Sequence, residues 1–445
     1  MGTILIKALQ LIFSLSILVI IHEFGHFFFA RIFKTRVEKF YLFFNPWFSL
    51  FKFRKGETEY GLGWLPLGGY VKISGMIDES MDKEAMKLPP EPWEFRSKPS
   101  WQRLLIMVGG VLMNFLFAII VYIGVLYAWG EEYLPTANVK YGIVVNEIGE
   151  QIGFRTGDKI LTVDNRYVEN FMKIIPSIVL DNAKSVQVER NGEKVNVEIS
   201  DEALALMLKN KSVMWPRIPF RLGVDDFTDD SPAKTAGMQV GDEIKGMNGE
   251  YFVYYDDWIK AAKDNAGNSV VLNISRNGEI FNIPLTIGED GMIGIKNSHF
   301  ADHYFELNTI SYGFIESIPA GIKRGWQTIR DYLKQFKLFF RPDTKAYESL
   351  GGFAAIGNIF PDRWDWFSFW NMTAFISIIL AIMNLLPIPA LDGGHVMFLF
   401  YEMITGRKPG DKFLEYAQIT GMIILLALVL FANANDIIKM INCTF

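Results

Sequence analysis

Four long apolar runs constrain the fold of this chain more than any other feature. A helix of about 20 mostly apolar residues is needed to cross a bilayer. The runs cover roughly residues 4–30, 104–129, 367–387 and 416–432, and the third continues beyond Asp392. The mean hydropathy of +0.17 is high for a chain of 445 residues that also carries long polar segments. The sequence therefore predicts a polytopic α-helical membrane protein with four spans and folded parts outside the bilayer.

The distribution of lysine and arginine predicts the orientation. The segment 31–103 and the short loop before the fourth run are rich in both, whereas the residues that follow Trp129 and precede Phe367 are poor in them. Basic loops stay in the cytoplasm, so both termini and the large central region are expected outside it. The first run has no small-residue cleavage site after it, which favours a retained span over a signal peptide.

Bulk charge and cysteine content exclude some classes of function. The net charge of −5 gives no basic footprint for nucleic acid. The only cysteine, Cys443, excludes an internal disulfide and a zinc site built from several thiolates.

The polar central region contains a duplication. IGEQIGFRTGDKILTVDN (148–165) aligns with SPAKTAGMQVGDEIKGMNG (231–249), and a second pair of segments, each with Asn-Gly between apolar runs, aligns at a similar offset. Asn-Gly in that setting predicts β-hairpins. We expect two domains, at 136–203 and 215–290. Their Gly-Asp pattern resembles PDZ domains, the second copy more closely than the first. PDZ domains are α/β, mostly β, and commonly bind a chain end or strand at a sheet edge. The alternative is a pair of packing modules that bind no peptide.

The first apolar run contains the motif HExxH within IHEFGHFFF (21–29). On a helix, His22 and His26 share one face and can reach the same ion, with Glu23 close enough to hold a water molecule. Ionisable side chains are costly in lipid, at about 2.5 to 3.5 kcal/mol for each charged group. A buried metal ion compensates all three residues, so the sequence predicts a zinc site with Glu23 as general base.

A third metal ligand is expected in the third apolar run, AIMNLLPIPALDGGHVMF (381–398). Prolines break the helix there, and irregular backbone at membrane depth is tolerated only inside protein or beside a wet cavity. Asp392 follows this break and is the favoured ligand, with His395 as the alternative. Asn384 could donate to the oxyanion of a scissile carbonyl, or it could satisfy carbonyls that the prolines leave unpaired. His299 and His303 are expected to form a surface pair rather than a metal site.

HEFGH in the first run, NLLPIPALDGG in the third and PDZ-like repeats between the second and third runs resemble the site-2 protease family, in particular its bacterial regulator of sigma-E protease branch. The resemblance implies zinc held by His22, His26 and Asp392, an active site toward the cytoplasmic side of the bacterial inner membrane, and cleavage of transmembrane segments in regulated intramembrane proteolysis. Implied substrates are single-pass proteins of the anti-sigma factor type and remnant signal peptides. VGGVLMNF (108–115) lacks the proline usual in the family, and SLGGFAAIGNIFP (349–361) departs from its Gly-Pro-Ile-Gly run.

Two further segments bear on how a helical substrate could be cut. ETEYGLGWLPLGGYVKISG (57–75) is interpreted as a membrane-associated β-hairpin whose edge, at Gly68, Gly69, Tyr70 and Val71, pairs with unwound substrate. The alternative is an ordinary cytoplasmic hairpin. The segment 315–345 mixes basic and aromatic residues at helical spacing, which predicts an interfacial amphipathic helix.

Two other classes of function remain as hypotheses. A PDZ-bearing scaffold without catalysis would sequester membrane partners, but the complete set of candidate ligands disfavours it. A transporter would be expected to show internal symmetry among its membrane helices, and the repeat in this sequence lies only in the polar region.

Overall fold

The computed structural model describes residues 2–76, 89–210, 212–297, 304–338 and 351–442. The predicted pair His299 and His303 lies outside these residues, as does Cys443. The chain divides into two compact units. One comprises residues 1–131, 311–336 and 347–445 and is called the membrane unit here; the other comprises residues 132–310 and 337–346 and is called the repeat unit.

The helices, numbered along the described chain, are α1 (Gly2–Ile32), α2 (Ser100–Trp129), α3 (Glu147–Ile152), α4 (Ile174–Leu180), α5 (Asp201–Lys209), α6 (Pro232–Thr235), α7 (Tyr255–Asp264), α8 (Phe314–Leu338), α9 (Phe353–Gly357), α10 (Trp366–Asn384), α11 (Asp392–Thr405) and α12 (Asp411–Asn442).

The strands are β1 (Val37–Phe44), β2 (Phe51–Lys55), β3 (Thr58–Leu62), β4 (Leu65–Ile73), β5 (Glu131–Tyr133), β6 (Ile143–Val145), β7 (Lys159–Val163), β8 (Ser185–Arg190), β9 (Glu193–Glu198), β10 (Met214–Pro216), β11 (Leu222–Gly223), β12 (Asp226–Phe227), β13 (Glu243–Met247), β14 (Glu250–Tyr251), β15 (Ser269–Arg276), β16 (Glu279–Thr286), β17 (Ile295–Lys296) and β18 (Asn308–Ile310).

In the part of the chain that the structure describes, four helices are long and apolar enough to cross a membrane: α1, α2, α10 and most of α12. This confirms the predicted polytopic architecture in number and order. The fourth helix is longer than the predicted 416–434, because its helical pattern continues through polar residues at both ends. The third predicted region, 365–405, consists of two helices, α10 and α11, joined by the proline-containing loop.

Small and polar residues join the helices of the membrane unit. Gly25 of α1 lies so close to Gly109 of α2 that a Cβ atom on either residue would overlap the other's backbone. Ser14 of α1 and Thr373 of α10 are hydrogen-bonded through their hydroxyl groups at 3.0 Å, and Ser377 Oγ donates to the carbonyl oxygen of Asn114 at 2.8 Å. Such contacts replace the hydrophobic driving force that helices lack within lipid.

The segment after α1 forms a four-stranded sheet in the order β2-β3-β1-β4. The prediction of a hairpin over 57–75 is therefore wrong in its pairing: β3 and β4 are strands, but β1 lies between them, parallel to β3 and antiparallel to β4. The 57–75 segment alone could not reveal this, because β1 comes from residues 37–44. The prediction that an edge runs through residues 68–71 is retained, since β4 is an outer strand of this sheet.

The repeat unit contains the predicted duplication. In each copy an Asn-Gly turn joins an antiparallel hairpin, β8–β9 in the first and β15–β16 in the second. Paired strands lie beyond the predicted limits of both domains. The first copy is closed by β10, which pairs with β6, and the second by β17, which pairs with β12. Both closing strands lie beyond the last residues predicted, 203 and 290, because they are too short to be recognised by alternation.

A matching buried ion pair stabilises each copy. Arg190 donates two hydrogen bonds to Asp158, at 2.7 and 2.8 Å. Arg276 donates two hydrogen bonds to Asp242 at the same two distances. Each guanidinium also donates to the carbonyl oxygen of a glycine, Gly153 or Gly237. The paired Gly-Asp and Arg-Asn-Gly segments of the repeat thus build one recurring contact.

Candidate metal centre

Two imidazoles of α1 face the interior of the membrane unit. His22 and His26 are one helical turn apart, and their Nε2 atoms are separated by 3.2 Å. The neighbouring Gly110 of α2 makes room for them, because a Cβ atom there would overlap both rings. The close approach of α1 and α2 at Gly25 therefore also forms one wall of this site.

Asp392 is brought to the imidazoles by the break in the third apolar region. Helix α10 ends at Asn384, the chain turns through the two prolines, and α11 begins at Asp392 itself. The glycines at 393 and 394 allow the loop to fold back onto the start of α11, since a Cβ atom on either would overlap loop backbone. Asp392 Oδ2 then lies 3.1 Å from His22 Nε2 and 3.4 Å from His26 Nε2.

The donor set and spacing fit a tetrahedral zinc ion. Ligand atoms bound at about 2.0–2.1 Å in tetrahedral geometry are about 3.3 Å apart, and the three observed separations are 3.1 to 3.4 Å. Asp392 Oδ2 is buried and accepts no hydrogen bond from the described residues. A buried carboxylate oxygen that faces two ring nitrogens without a donor is costly unless a cation lies between them. Within the described chain, His22, His26 and Asp392 are the group that could hold a metal ion; His395 is not part of it.

Residues of α2 orient both rings. The Ile106 carbonyl oxygen lies 2.8 Å from His26 Nδ1, so Nδ1 carries the proton and Nε2 offers its lone pair to the centre. Asn114 Nδ2 lies 3.4 Å from His22 Nδ1, and Asn114 Oδ1 is buried without a hydrogen-bond partner among the described residues. If the amide is rotated by 180°, Oδ1 replaces Nδ2 beside the ring, accepts the Nδ1 proton and leaves the Nε2 of His22 unprotonated as well.

The sequence prediction missed the role of Asn114. A signal was present, since Asn114 lies one helical turn from Gly110 and therefore shares the face of α2 that meets α1. That relation indicated close packing, but not which ring atom the amide would reach.

The other predicted catalytic residues also lie near this centre. Asn384, the last residue of α10, places its Nδ2 3.4 Å from His22 Nε2. Glu23 is half-buried and its side chain runs beside β4: a Cβ atom on Gly69 would lie 3.6 Å from Glu23 Cγ. The absence of a side chain at Gly69 thus lets α1 approach the backbone of the outer strand.

The predicted substrate-binding residues Gly68, Gly69, Tyr70 and Val71 all lie in β4. Gly68 has a φ of +148°, a conformation that favours glycine. Tyr70 stacks on Tyr41 of β1 with ring centroids 5.3 Å apart. Burial raises the pKa of Tyr70 to about 12, so its hydroxyl remains protonated and donates to Asn45 at 3.0 Å.

Membrane-spanning helices that bring an HExxH pair and a distant aspartate within zinc-binding distance define a membrane zinc metalloprotease of the site-2 type. Comparison with known proteins agrees: the model of peptidase family M50 matches residues 10–428, and the chain belongs to that family. It is similar to the "Regulator of sigma E protease" of Haemophilus influenzae, at 29% identity over 96% of this chain and 98% of the relative.

Two other relatives extend the comparison. A "Putative zinc metalloprotease" of Borreliella burgdorferi is 29% identical over 97% of this chain and 99% of its own. The "Regulator of sigma-E protease RseP" of Escherichia coli is 27% identical, with 96% and 97% covered. The similarity thus includes the repeat unit as well as the metal centre. The protein is a zinc metalloprotease of the site-2 type.

Proposed function

We propose that this enzyme cleaves transmembrane segments of single-pass membrane proteins of the anti-sigma factor type, in regulated intramembrane proteolysis. Remnant signal peptides are a second proposed substrate class. The observation that carries the proposal is the convergence of His22, His26 and Asp392 between helices that are apolar enough to span a membrane. The names of relatives that regulate sigma E support the substrate class.

We assign the metal ligands to His22, His26 and Asp392. When bound, zinc supplies Lewis acidity toward water and toward a peptide carbonyl. Glu23, next to the first ligand, acts as general base and then returns the proton to the leaving amine. Asn384 donates its amide hydrogen to the oxygen of the scissile carbonyl as negative charge develops there.

The outer strand β4 is the proposed binding edge for substrate. A transmembrane helix hides its peptide bonds in its own hydrogen bonds, so cleavage requires local unwinding. An unwound segment can satisfy its backbone by pairing with β4, which would hold it beside Glu23 because Gly69 adjoins that side chain. Strand β2 and the loop before it expose aromatic residues, with Trp47 90% and Phe51 60% exposed, which supports an association of this sheet with the membrane.

We infer that the two copies of the repeat unit are PDZ domains outside the cytoplasm. There they would exclude substrates that carry bulky external domains. Support comes from the Gly-Asp pattern and from the recurring arginine–aspartate contact. The orientation rests on the distribution of basic residues, which places the metal centre toward the cytoplasmic side of the inner membrane. Helix α8 would then lie on the outer face; its Arg324 donates to Asn371 of α10 at 2.9 Å.

Replacement of Glu23 by Gln tests the mechanism. The amide cannot accept a proton from water, so cleavage of a helical single-pass substrate in nanodiscs should fall by about 10²- to 10⁴-fold, while one zinc per chain is retained. The matched control is Glu250→Gln, at an exposed position of the repeat unit, which should leave both quantities unchanged.

The same variant can contradict the assigned mechanism and identify substrates. Full activity of the Glu23→Gln variant would refute the role of Glu23 as general base. Membrane proteins that accumulate uncut with the variant in cells would identify the substrates.

A further inference from the structure

Helix α2 contributes no proposed metal ligand, yet one of its faces supports both imidazoles. Gly110 lies against the two rings. The Ile106 carbonyl oxygen lies 2.8 Å from His26 Nδ1, and the amide of Asn114 lies beside His22. These three residues of α2 are spaced four positions apart, which keeps them on one side of a helix. The two imidazoles therefore share a single rigid support.

The same face of α2 continues to Arg103, which precedes Ile106 by three residues and is buried. Its guanidinium donates to the Glu402 carboxylate of α11 at 2.5 Å and to the Lys98 carbonyl oxygen at 2.9 Å. The side chain of Glu402 is only 13% exposed. Because the guanidinium group is planar and its donors have fixed directions, two acceptors define its orientation. The position of Glu402 relative to α2 is therefore defined as well.

Glu402 belongs to the helix that begins with the third proposed ligand. Asp392, Val396 and Leu399 occupy positions i, i+4 and i+7 and thus share one face of α11. Val396 and Leu399 are buried in an apolar cluster with residues of α1 and α2. Apolar contacts are non-directional, so they hold α11 against α2 without fixing its rotation or its axial register. The ion pair of Glu402 adds a directional contact to this interface.

We propose that Arg103 and Glu402 are positioning residues of the metal centre. Their ion pair fixes the rotation and register of α11 on α2, and so holds Asp392 within zinc-binding distance of the two imidazoles. This role rests on the ligand set proposed above.

The energetics of buried ion pairs favour positioning over a general contribution to stability. Withdrawal of two charges from water costs about as much as their attraction returns, so replacement of a buried pair by apolar residues is often neutral or stabilising. The best-attested use of buried polar contacts between helices is to specify register, at a cost in stability. A pair that joins the support of two ligands to the helix of the third is suited to that use.

The decisive variant replaces both charged residues. Arg103→Met/Glu402→Leu puts apolar side chains at the two positions, so the melting temperature of the zinc-free full chain should equal or exceed that of the wild type. Its zinc affinity, measured by competition with a chelator, should nevertheless fall by about tenfold, the lower end of the range for residues that orient a ligand. Lys184→Met/Asp201→Leu removes an exposed ion pair of the repeat unit and is the matched control, with unchanged zinc affinity.

A conservative variant tests the ion pair itself. Arg103→Lys keeps a cation beside Glu402, whereas Arg103→Met leaves that carboxylate buried without its partner. The lysine variant should therefore bind zinc more tightly than the methionine variant. Equal zinc affinities in the two single variants would contradict the proposal.

The remaining outcomes separate this role from packing and from the ligand assignment. A melting temperature of Arg103→Met/Glu402→Leu that falls together with its zinc affinity would assign the pair to packing instead. Wild-type zinc affinity in that protein, with Asp392→Ala deficient in zinc, would overturn the positioning role alone. If Asp392→Ala also binds zinc as tightly as the wild type, the ligand assignment itself fails, and this proposal fails with it.

Discussion

The two units of the molecule treat a buried aspartate in opposite ways. In the repeat unit, Asp158 and Asp242 each accept two hydrogen bonds from a guanidinium group and one from a backbone amide. In the membrane unit, Asp392 presents an oxygen that receives no hydrogen bond from the described residues and faces two imidazole nitrogens. The negative charge of a carboxylate surrounded by hydrogen-bond donors is already stabilised, whereas a carboxylate surrounded by acceptors requires a cation.

The membrane unit also contains a buried carboxylate that has a donor. Glu402 of α11, the helix that begins at Asp392, lies 2.5 Å from the guanidinium of Arg103 on α2, and both side chains are largely buried. The membrane unit can therefore provide a donor for a buried carboxylate. Because Asp392 Oδ2 has none among the described residues, its environment is suited to metal binding rather than to helix packing.

Among substitutions of these buried aspartates, the largest expected effect on zinc content and cleavage is at the metal centre. Asp392→Ala removes one of three proposed ligands, so zinc should be lost and cleavage should fall by more than the roughly 10- to 100-fold typical of changes around a ligand. Zinc per chain by atomic absorption and substrate cleavage measure both effects. The exposed Asp264→Ala is the control. If the variant keeps one zinc per chain and full activity, Asp392 is not a ligand.

In the repeat unit, substitution of a buried aspartate should lower stability without loss of zinc. Asp158→Asn leaves a guanidinium without its charge partner, and the loss of one member of a buried pair costs about 3–5 kcal/mol. The Arg190 side chain is 27% exposed, so we expect about 2–4 kcal/mol. Hydrogen exchange of the full chain should show this loss in the first copy, with zinc content unchanged. A loss of zinc without a change in exchange would contradict the comparison.

The second copy should respond to acid. The hydrogen bonds from Arg276 hold the pKa of Asp242 below its usual range. The folded state therefore binds fewer protons than the unfolded state, so this stabilisation is present above the unfolded pKa of about 3.9 and is lost as the pH falls through the folded value. Exchange protection of β15 and β16 should decrease below about pH 4, and Arg276→Gln should flatten that dependence. An equally steep profile in the variant would show that other groups cause it.

The extent to which the sequence predicts this molecule depends on the range over which each signal acts. Runs of apolar residues predicted the four spans, and HExxH placed two imidazoles together, because both patterns are local. Asp392 was also predicted, from the cost of a carboxylate beside broken helix at membrane depth. The position of β1 between β3 and β4 was not, since β-sheet order depends on which strands meet after the chain folds. The amide of Asn114 was missed for a similar reason: its partner lies on another helix, 92 residues away.

The smallest effect is expected at Asn114, and it tests whether the amide positions His22. If its oxygen accepts the proton on His22 Nδ1, Asn114→Leu should weaken zinc binding by about tenfold, the lower end of the range for residues that orient a ligand. Asn114→Asp keeps an acceptor and removes the donor, so it should retain more affinity than the leucine variant. Competition with a chelator measures both proteins, and their melting temperatures in excess zinc separate positioning from packing. A greater loss in the aspartate variant would mean that Asn114 donates to His22, and the proton on that ring would then have to be reassigned to Nε2, the atom that faces Asp392.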